Sequence, residues 1–186
     1  MEAGIEHQAM RRALPPRDAS RPAAVARGPS VPLREFEGLA AATQATLELV
    51  RSARRELWLH TRDLDPACIH MVEAFKQFAI AGRGGVVQVI LLEPVSVQGQ
   101  GHPLLGLAQR MSSVFQLRTP TEDLDQQYPS GYLANDRDGY LFRPLASRWE
   151  GDWSPALPAR TRQLVEHFGR AWERARPCTE FRALGI

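Results

Sequence analysis

Seven side chains in this sequence have the chemistry to hold a ligand or act on one: His60, Arg62, Asp63, Tyr128, Tyr132, Asp136 and Arg143. His60 and Arg62 lie at the end of the alternating stretch ELWLHT, where a strand would run out into a loop. In open α/β sheets that edge is where ligands bind. The arginines offer a planar fork for phosphate or carboxylate, and the phenols and imidazole can donate, accept or move a proton. The seven are therefore read as a polar pocket for a small anionic ligand, with no residue given a catalytic role. Two other readings stand beside it. In one, Arg62, Asp63 and Arg143 form a structural ion-pair and hydrogen-bond network that fixes a loop to a hairpin. In the other, His60 or Tyr128 serves as acid or base for an enzyme acting on a phosphorylated or nucleotide substrate.

Spacing argues against several other chemistries. His7, His70, His102 and His167 are scattered, with no two at the i, i+4 step of a helical metal site, so neither metal nor cofactor is expected. Cys68 and Cys178 stand far apart in no ligand pattern and read as idle thiols. The glycine-rich residues 82–85 precede a strand, whereas phosphate-binding loops follow one and open a helix, so they read as a turn. Trp149 and Trp153 near Arg148 could stack on a base or a peptide, or simply pin a long loop to the core.

The elements that must position these residues centre on QYPSGYLANDRDGYLFRP, residues 127–144, where two apolar runs flank an Asp-Gly turn signal and predict a hairpin. Upstream, the spacing of Phe36, Leu39, Ala40, Thr43, Leu47 and Val50 predicts an amphipathic helix over 33–55. A strand follows over 56–61, then a helix capped by Asp65 with Pro66 at its first position, running to about residue 81. That helix is expected to bury Ile69, Val72, Phe75, Phe78 and Ala79. The β-branched run 86–92 predicts a central strand covered on both faces. A short helix over 103–111, a strand over 113–118 and a polar connection over 121–127 lead into the hairpin. After a loop over 149–158, Leu164, Val165, Phe168 and Trp172 mark a last helix over 159–174. This order predicts an α/β fold: a mixed β-sheet with helices on both faces.

With 186 residues, 44% of them hydrophobic, the chain suits one soluble domain of about 150 residues with a tail. Its longest apolar runs fall far short of the roughly 18 residues of a membrane span. No apolar stretch follows the N-terminal charges, so the sequence reads as cytoplasmic. Residues 1–34 hold six arginines against three acidic residues, which leaves the remainder nearly neutral. That balance argues against a broad nucleic-acid face on the folded part. Residues 15–32, rich in Pro, Ala and Arg, read as a disordered linker.

Two resemblances add to this. Residues 1–14 begin Glu2-Ala3-Gly4-Ile5-Glu6-His7 and continue to Met10-Arg11-Arg12, which resembles the last strand of a GNAT-type N-acetyltransferase. Residues 33–180 resemble one half of a phospholipase D-like domain, through Arg54-Arg55-Glu56-Leu57-Trp58-Leu59 and the closing FGRAWERA. The chain also resembles an uncharacterised bacterial domain fused behind GNAT acetyltransferases, in the patterns TRDLDP, GHPLL, YPSGYLANDRDGYLFRPLASR and WERA. The phospholipase D signature is a His, a Lys two residues on and an Asp five after that. With Asp136 on the motif's Asp, Pro129 stands at the His position and Gly131 at the Lys position. Neither can attack phosphorus or clamp its oxygens. The resemblance thus implies a catalytically inactive scaffold, a binding or regulatory module whose partners are an acetyltransferase domain, another protein or a second copy of itself.

Overall fold

A computed structural model of the chain describes residues 33–64, 69–81, 84–94 and 102–178. The GNAT-like segment, the linker, the Asp65–Pro66 cap, Cys68, the side chain of Ile69 and residues 82–83 of the glycine-rich turn fall outside the described residues.

Among these residues, eight strands make one mixed sheet: β1 (Arg34–Glu37), β2 (Glu56–Thr61), β3 (Val86–Leu91), β4 (Phe115–Thr119), β5 (Gly131–Asn135), β6 (Tyr140–Arg143), β7 (Glu150–Ser154) and β8 (Arg176–Pro177). Their order across the sheet is β1-β7-β6-β5-β2-β3-β4-β8. Strands β2, β3 and β4 run parallel, and every other pairing is antiparallel. The helices are α1 (Leu39–Ser52), α2 (Ile69–Ile80), α3 (Pro103–Arg110), the single turn α4 (Asp123–Gln126) and α5 (Pro158–Arg174).

Because successive side chains on a strand point to opposite faces, the central strands divide their residues between two layers. Leu57, Val87, Val89, Leu133 and Leu141 join Leu49 of α1, Phe75 of α2 and Leu107 of α3 in one core. On the other face Ile90, Tyr132 and Tyr140 join Leu164, Phe168 and Ala171 of α5. This is the expected mixed sheet with helices on both faces.

Three local readings change. Residues 34–37 are a strand paired with β7, not the first turn of α1, because REFE alternates and only Phe36 turns inward. The buried stripe of α1 is Ala42, Ala45, Thr46, Leu49 and Val50, while Leu39 is exposed and Leu47 half-buried. Small alanines let the helix sit close to the sheet, which a stripe drawn through the larger residues overlooks. Residues 150–154, expected as loop, form β7, whose EGDWS has little intrinsic β preference and is held between β1 and β6. In α3 the expectation holds, with Leu104, Leu105, Leu107 and Ala108 buried; in α2 Phe75 is buried as expected, but Val72, Phe78 and Ala79 are only half-buried, and the connection over 121–127 contains the turn α4.

Candidate functional site

The hairpin turn is the mechanical centre of the molecule. Asp136 accepts hydrogen bonds from the backbone N–H of Arg54 at 2.8 Å and of Arg55 at 2.9 Å, tying the turn to the start of β2. From the same turn the Asp138 carbonyl accepts from Leu157 N–H and from the buried Thr161 hydroxyl, both at 2.7 Å, which seats the first turn of α5. Asp138 takes a left-handed φ of 62°, a conformation that Asp tolerates better than most residues. With both oxygens of Asp136 engaged as a cap, its carboxylate holds structure. Asp136→Ala is expected to cost about 2 kcal/mol in urea unfolding, and Asp136→Asn about half as much, since one amide oxygen can still accept.

On the α5 face, β2 and β5 place His60 opposite Tyr132 in register. Their rings stack at 5.1 Å with 10° between planes, and Tyr128 meets His60 edge-on at 5.1 Å. His167 of α5 closes the group: its Nδ1 shares a 2.8 Å hydrogen bond with the Tyr132 hydroxyl, and its ring lies 4.3 Å from that of Tyr128. His60 is fully buried, and neither ring nitrogen has a hydrogen-bond partner of good geometry among the described residues. Burial, and then the neighbouring His167, push its pKa down from 6.5 to about 4, although the Ser130 backbone lies near enough to favour the protonated ring slightly. Burial also lowers the pKa of His167, with Arg170 adding to the effect, and raises the phenol of Tyr132. Near neutral pH the His60 ring is uncharged.

The other face holds a cavity of about 50 Å³ between the sheet and the helices. Its walls are mainly apolar, including Leu59, Leu133, Leu141, Met71, Phe75 and Leu104. Its polar lining residues are Thr46, Thr61, Asp63, Tyr132 and Arg143. Thr61 donates from its hydroxyl to the Asp63 carbonyl at 2.9 Å, which fixes the end of β2. Arg143 is buried, with its guanidinium 4.4 Å over the Trp149 ring. It also lies on Gly131, the residue opposite it in the hairpin. A Cβ on Gly131 would come within 3.1 Å of Arg143 Nη2 and 3.3 Å of Ala146 Cβ. The bare glycine thus leaves the room that the guanidinium fills.

The seven residues singled out from the sequence are therefore distributed rather than convergent. His60, Tyr128 and Tyr132 come together on the α5 face, while Asp63 and Arg143 share the cavity on the opposite face. Asp136 caps the far end of the sheet, and exposed Arg62 pairs with Glu93 at 3.2 Å, not with Asp63. Two residues missed in the sequence carry much of the polar structure. His167 completes the imidazole cluster, and its only sequence signal is its place one residue before inward-facing Phe168. Asn135 is buried and makes four hydrogen bonds, foreshadowed only by the Asn-Asp opening of the turn. Among the described residues no three His, Cys, Asp or Glu side chains gather as a metal site. Nor is any described helix long and apolar enough to cross a membrane.

The sheet order, the hairpin strand lying antiparallel beside β2 and the helices on both faces define a mixed α/β fold. Two solved structures share this fold. Nuc from Salmonella typhimurium, a phospholipase D family member, is 17% identical with a TM-score of 0.53, over 80% of this chain and 97% of that one. TrmBL2, an archaeal chromatin protein with a novel mode of DNA binding, is 14% identical with a TM-score of 0.60 over 82% of this chain. The chain spans about half, 54%, of TrmBL2. No curated protein matches the chain. The chain belongs to the family described as Domain of unknown function (DUF7931), whose model matches residues 38–184.

Proposed function

We propose that the protein is a catalytically silent phospholipase D-like domain that acts as a binding or regulatory module, associated in its relatives with a GNAT acetyltransferase. The observation that carries this reading is the seating of Arg143 on Gly131. At the position where the phospholipase D motif has its Lys, the backbone is bare and the space above it is taken by the guanidinium. At the His position Pro129 offers no basic nitrogen, and the motif's Asp is used up as a backbone cap. What remains at this end of the sheet is a buried cation beside an apolar cavity, which suits holding better than cleaving. The alternative, an enzyme built on His60 and Tyr128, lacks support in the geometry: His60 is sealed from solvent, and Arg62 and Arg143 do not face it.

The purified protein is expected to hydrolyse bis(p-nitrophenyl) phosphate no faster than buffer. The double variant Pro129→His, Gly131→Lys is expected to remain inactive. It should also lose about 1–3 kcal/mol of stability in urea unfolding, because the new side chain crowds Arg143 and sets two cations together. Turnover by the unaltered protein would overturn the reading.

A further inference from the structure

We propose that the protein self-associates head to tail, with Leu124 of α4 in one copy seated in the groove between α1 and α2 of the next. Glu122 and Asp123, beside Leu124, face Arg51 and Arg54 at the rim of that groove. The contact uses neither Pro129 nor Gly131 and does not depend on the reading above.

The sequence writes more apolar surface on α1 and α2 than the sheet covers. Leu47 and Phe78, both expected in the core, are only half-buried. They meet at a groove of about 360 Å³ that also has Val50 and Ala74 in its walls. Residues 47, 50 and 51 share one face of α1 at the i, i+3, i+4 steps, and Arg54 follows just past its end. Arg51 and Arg54 are exposed at one rim, and neither guanidinium has a carboxylate partner among the described residues. On the opposite rim Glu73 is already engaged, by Lys76 at 3.4 Å and by Gln77 at 2.7 Å. The groove therefore offers an apolar floor and unpaired positive charge, which suits an apolar side chain flanked by carboxylates.

The chain carries such a group itself. Leu124 is 81% exposed, more than any other large hydrophobic residue among the described residues. A lone exposed leucine is ordinary, but this one is held rigidly. Next to it, buried Asp125 accepts from Arg174 Nε at 2.9 Å and Nη2 at 2.8 Å, and the Thr121 hydroxyl donates to the Arg174 carbonyl at 2.7 Å. The turn is thus fastened on both sides of Leu124, so little freedom is lost when the leucine docks. Glu122 and Asp123 are exposed and supply the carboxylates. Two such turns brought together set like charges against each other, and so do two grooves, so the favoured pairing is turn to groove. Because the turn is tied to α5 and the groove lies on the opposite face of the sheet, the contact is heterologous. Each copy keeps one turn and one groove for its neighbours.

The experiment is sedimentation velocity on the full chain. A contact this small is weak, with a Kd on the order of 0.1 mM, so the weight-average sedimentation coefficient should climb between about 10 μM and about 1 mM. Leu124→Ser, and separately Arg51→Glu with Arg54→Glu, should each weaken association about tenfold or more. Mixed one to one, these two variants should form a dimer and nothing longer, because each supplies the half that the other lacks. Mixing Leu124→Ser with Asp123→Lys, both damaged in the turn, should restore nothing. Every substituted side chain is exposed, and the Arg54 backbone N–H held by Asp136 is left in place. Should the arginine variant still fail to fold, Ala74→Glu, on the groove wall, takes its place in the mixture. The proposal is overturned if the unaltered chain stays monomeric up to about 1 mM, if Leu124→Ser associates as tightly as the unaltered chain, or if the complementary mixture stays monomeric.

Discussion

Resistance to urea should fall by about 3 kcal/mol as the pH drops from about 6.5 to about 4, and replacing His60 should remove most of that fall. The native pKa of His60 lies near 4 and its ordinary value is 6.5. Between those two values the unfolded chain binds a proton that the native chain refuses, so the stabilising contribution is complete above about pH 6.5 and is lost as the pH falls through about 4. His167, whose pKa is also lowered, acts with the same sign, and Asp125 opposes it at both imidazoles. The check is a set of urea unfolding curves at several pH values. His60→Leu, close in volume, should flatten the profile. It should also unfold no more easily than the original near neutral pH, since it removes two buried nitrogens that lack hydrogen-bond partners among the described residues.

The second large effect is expected at Asn135. Its Nδ2 donates to the Leu49 carbonyl at 2.8 Å and to the Ser52 hydroxyl at 2.9 Å, which fastens the end of α1 to the hairpin. Its Oδ1 accepts from Arg137 N–H at 3.0 Å and from the buried Gly139 N–H at 2.9 Å, which shapes the turn from within. Asn135→Ala breaks all four. The Leu49 carbonyl still accepts from Ala53 N–H and from the Ser52 hydroxyl, but the Gly139 N–H loses its side-chain acceptor inside the protein. A loss of about 3–4 kcal/mol is expected in equilibrium unfolding. Asn135→Asp separates the two roles, because a carboxylate can still accept from the turn but cannot donate to α1. Its loss should be smaller than that of the alanine variant and should grow with pH as the buried carboxyl ionises.

Near-neighbour pattern explains which features were legible in the sequence. The hairpin, the central strand 86–91 and the buried face of α3 follow from alternation, β-branched runs and three-to-four spacing, all encoded within a few residues. Strands β1 and β7 were not legible, because REFE and EGDWS are too short and too polar to announce themselves. They are strands because β1 pairs with β7 across more than a hundred residues of chain, and β7 pairs in turn with β6. The same limit applies to the polar residues. His60 and Tyr132 were singled out separately, but their stacking depends on the register of β2 against β5. His167, which hydrogen-bonds to Tyr132, arrives on a helix from the far end of the domain.

The sequence by itself determined the fold class, a mixed sheet with helices on both faces. Alternation and three-to-four spacing are set by side-chain type within a few residues, whatever surrounds them. Only the tertiary structure decided which polar residues share a site. A strand sends neighbouring side chains to opposite faces, so His60 and Thr61, adjacent in the chain, belong to different cores. Through the same rule Tyr132 meets His60, while Arg143 comes to lie on Gly131 and at the wall of the cavity.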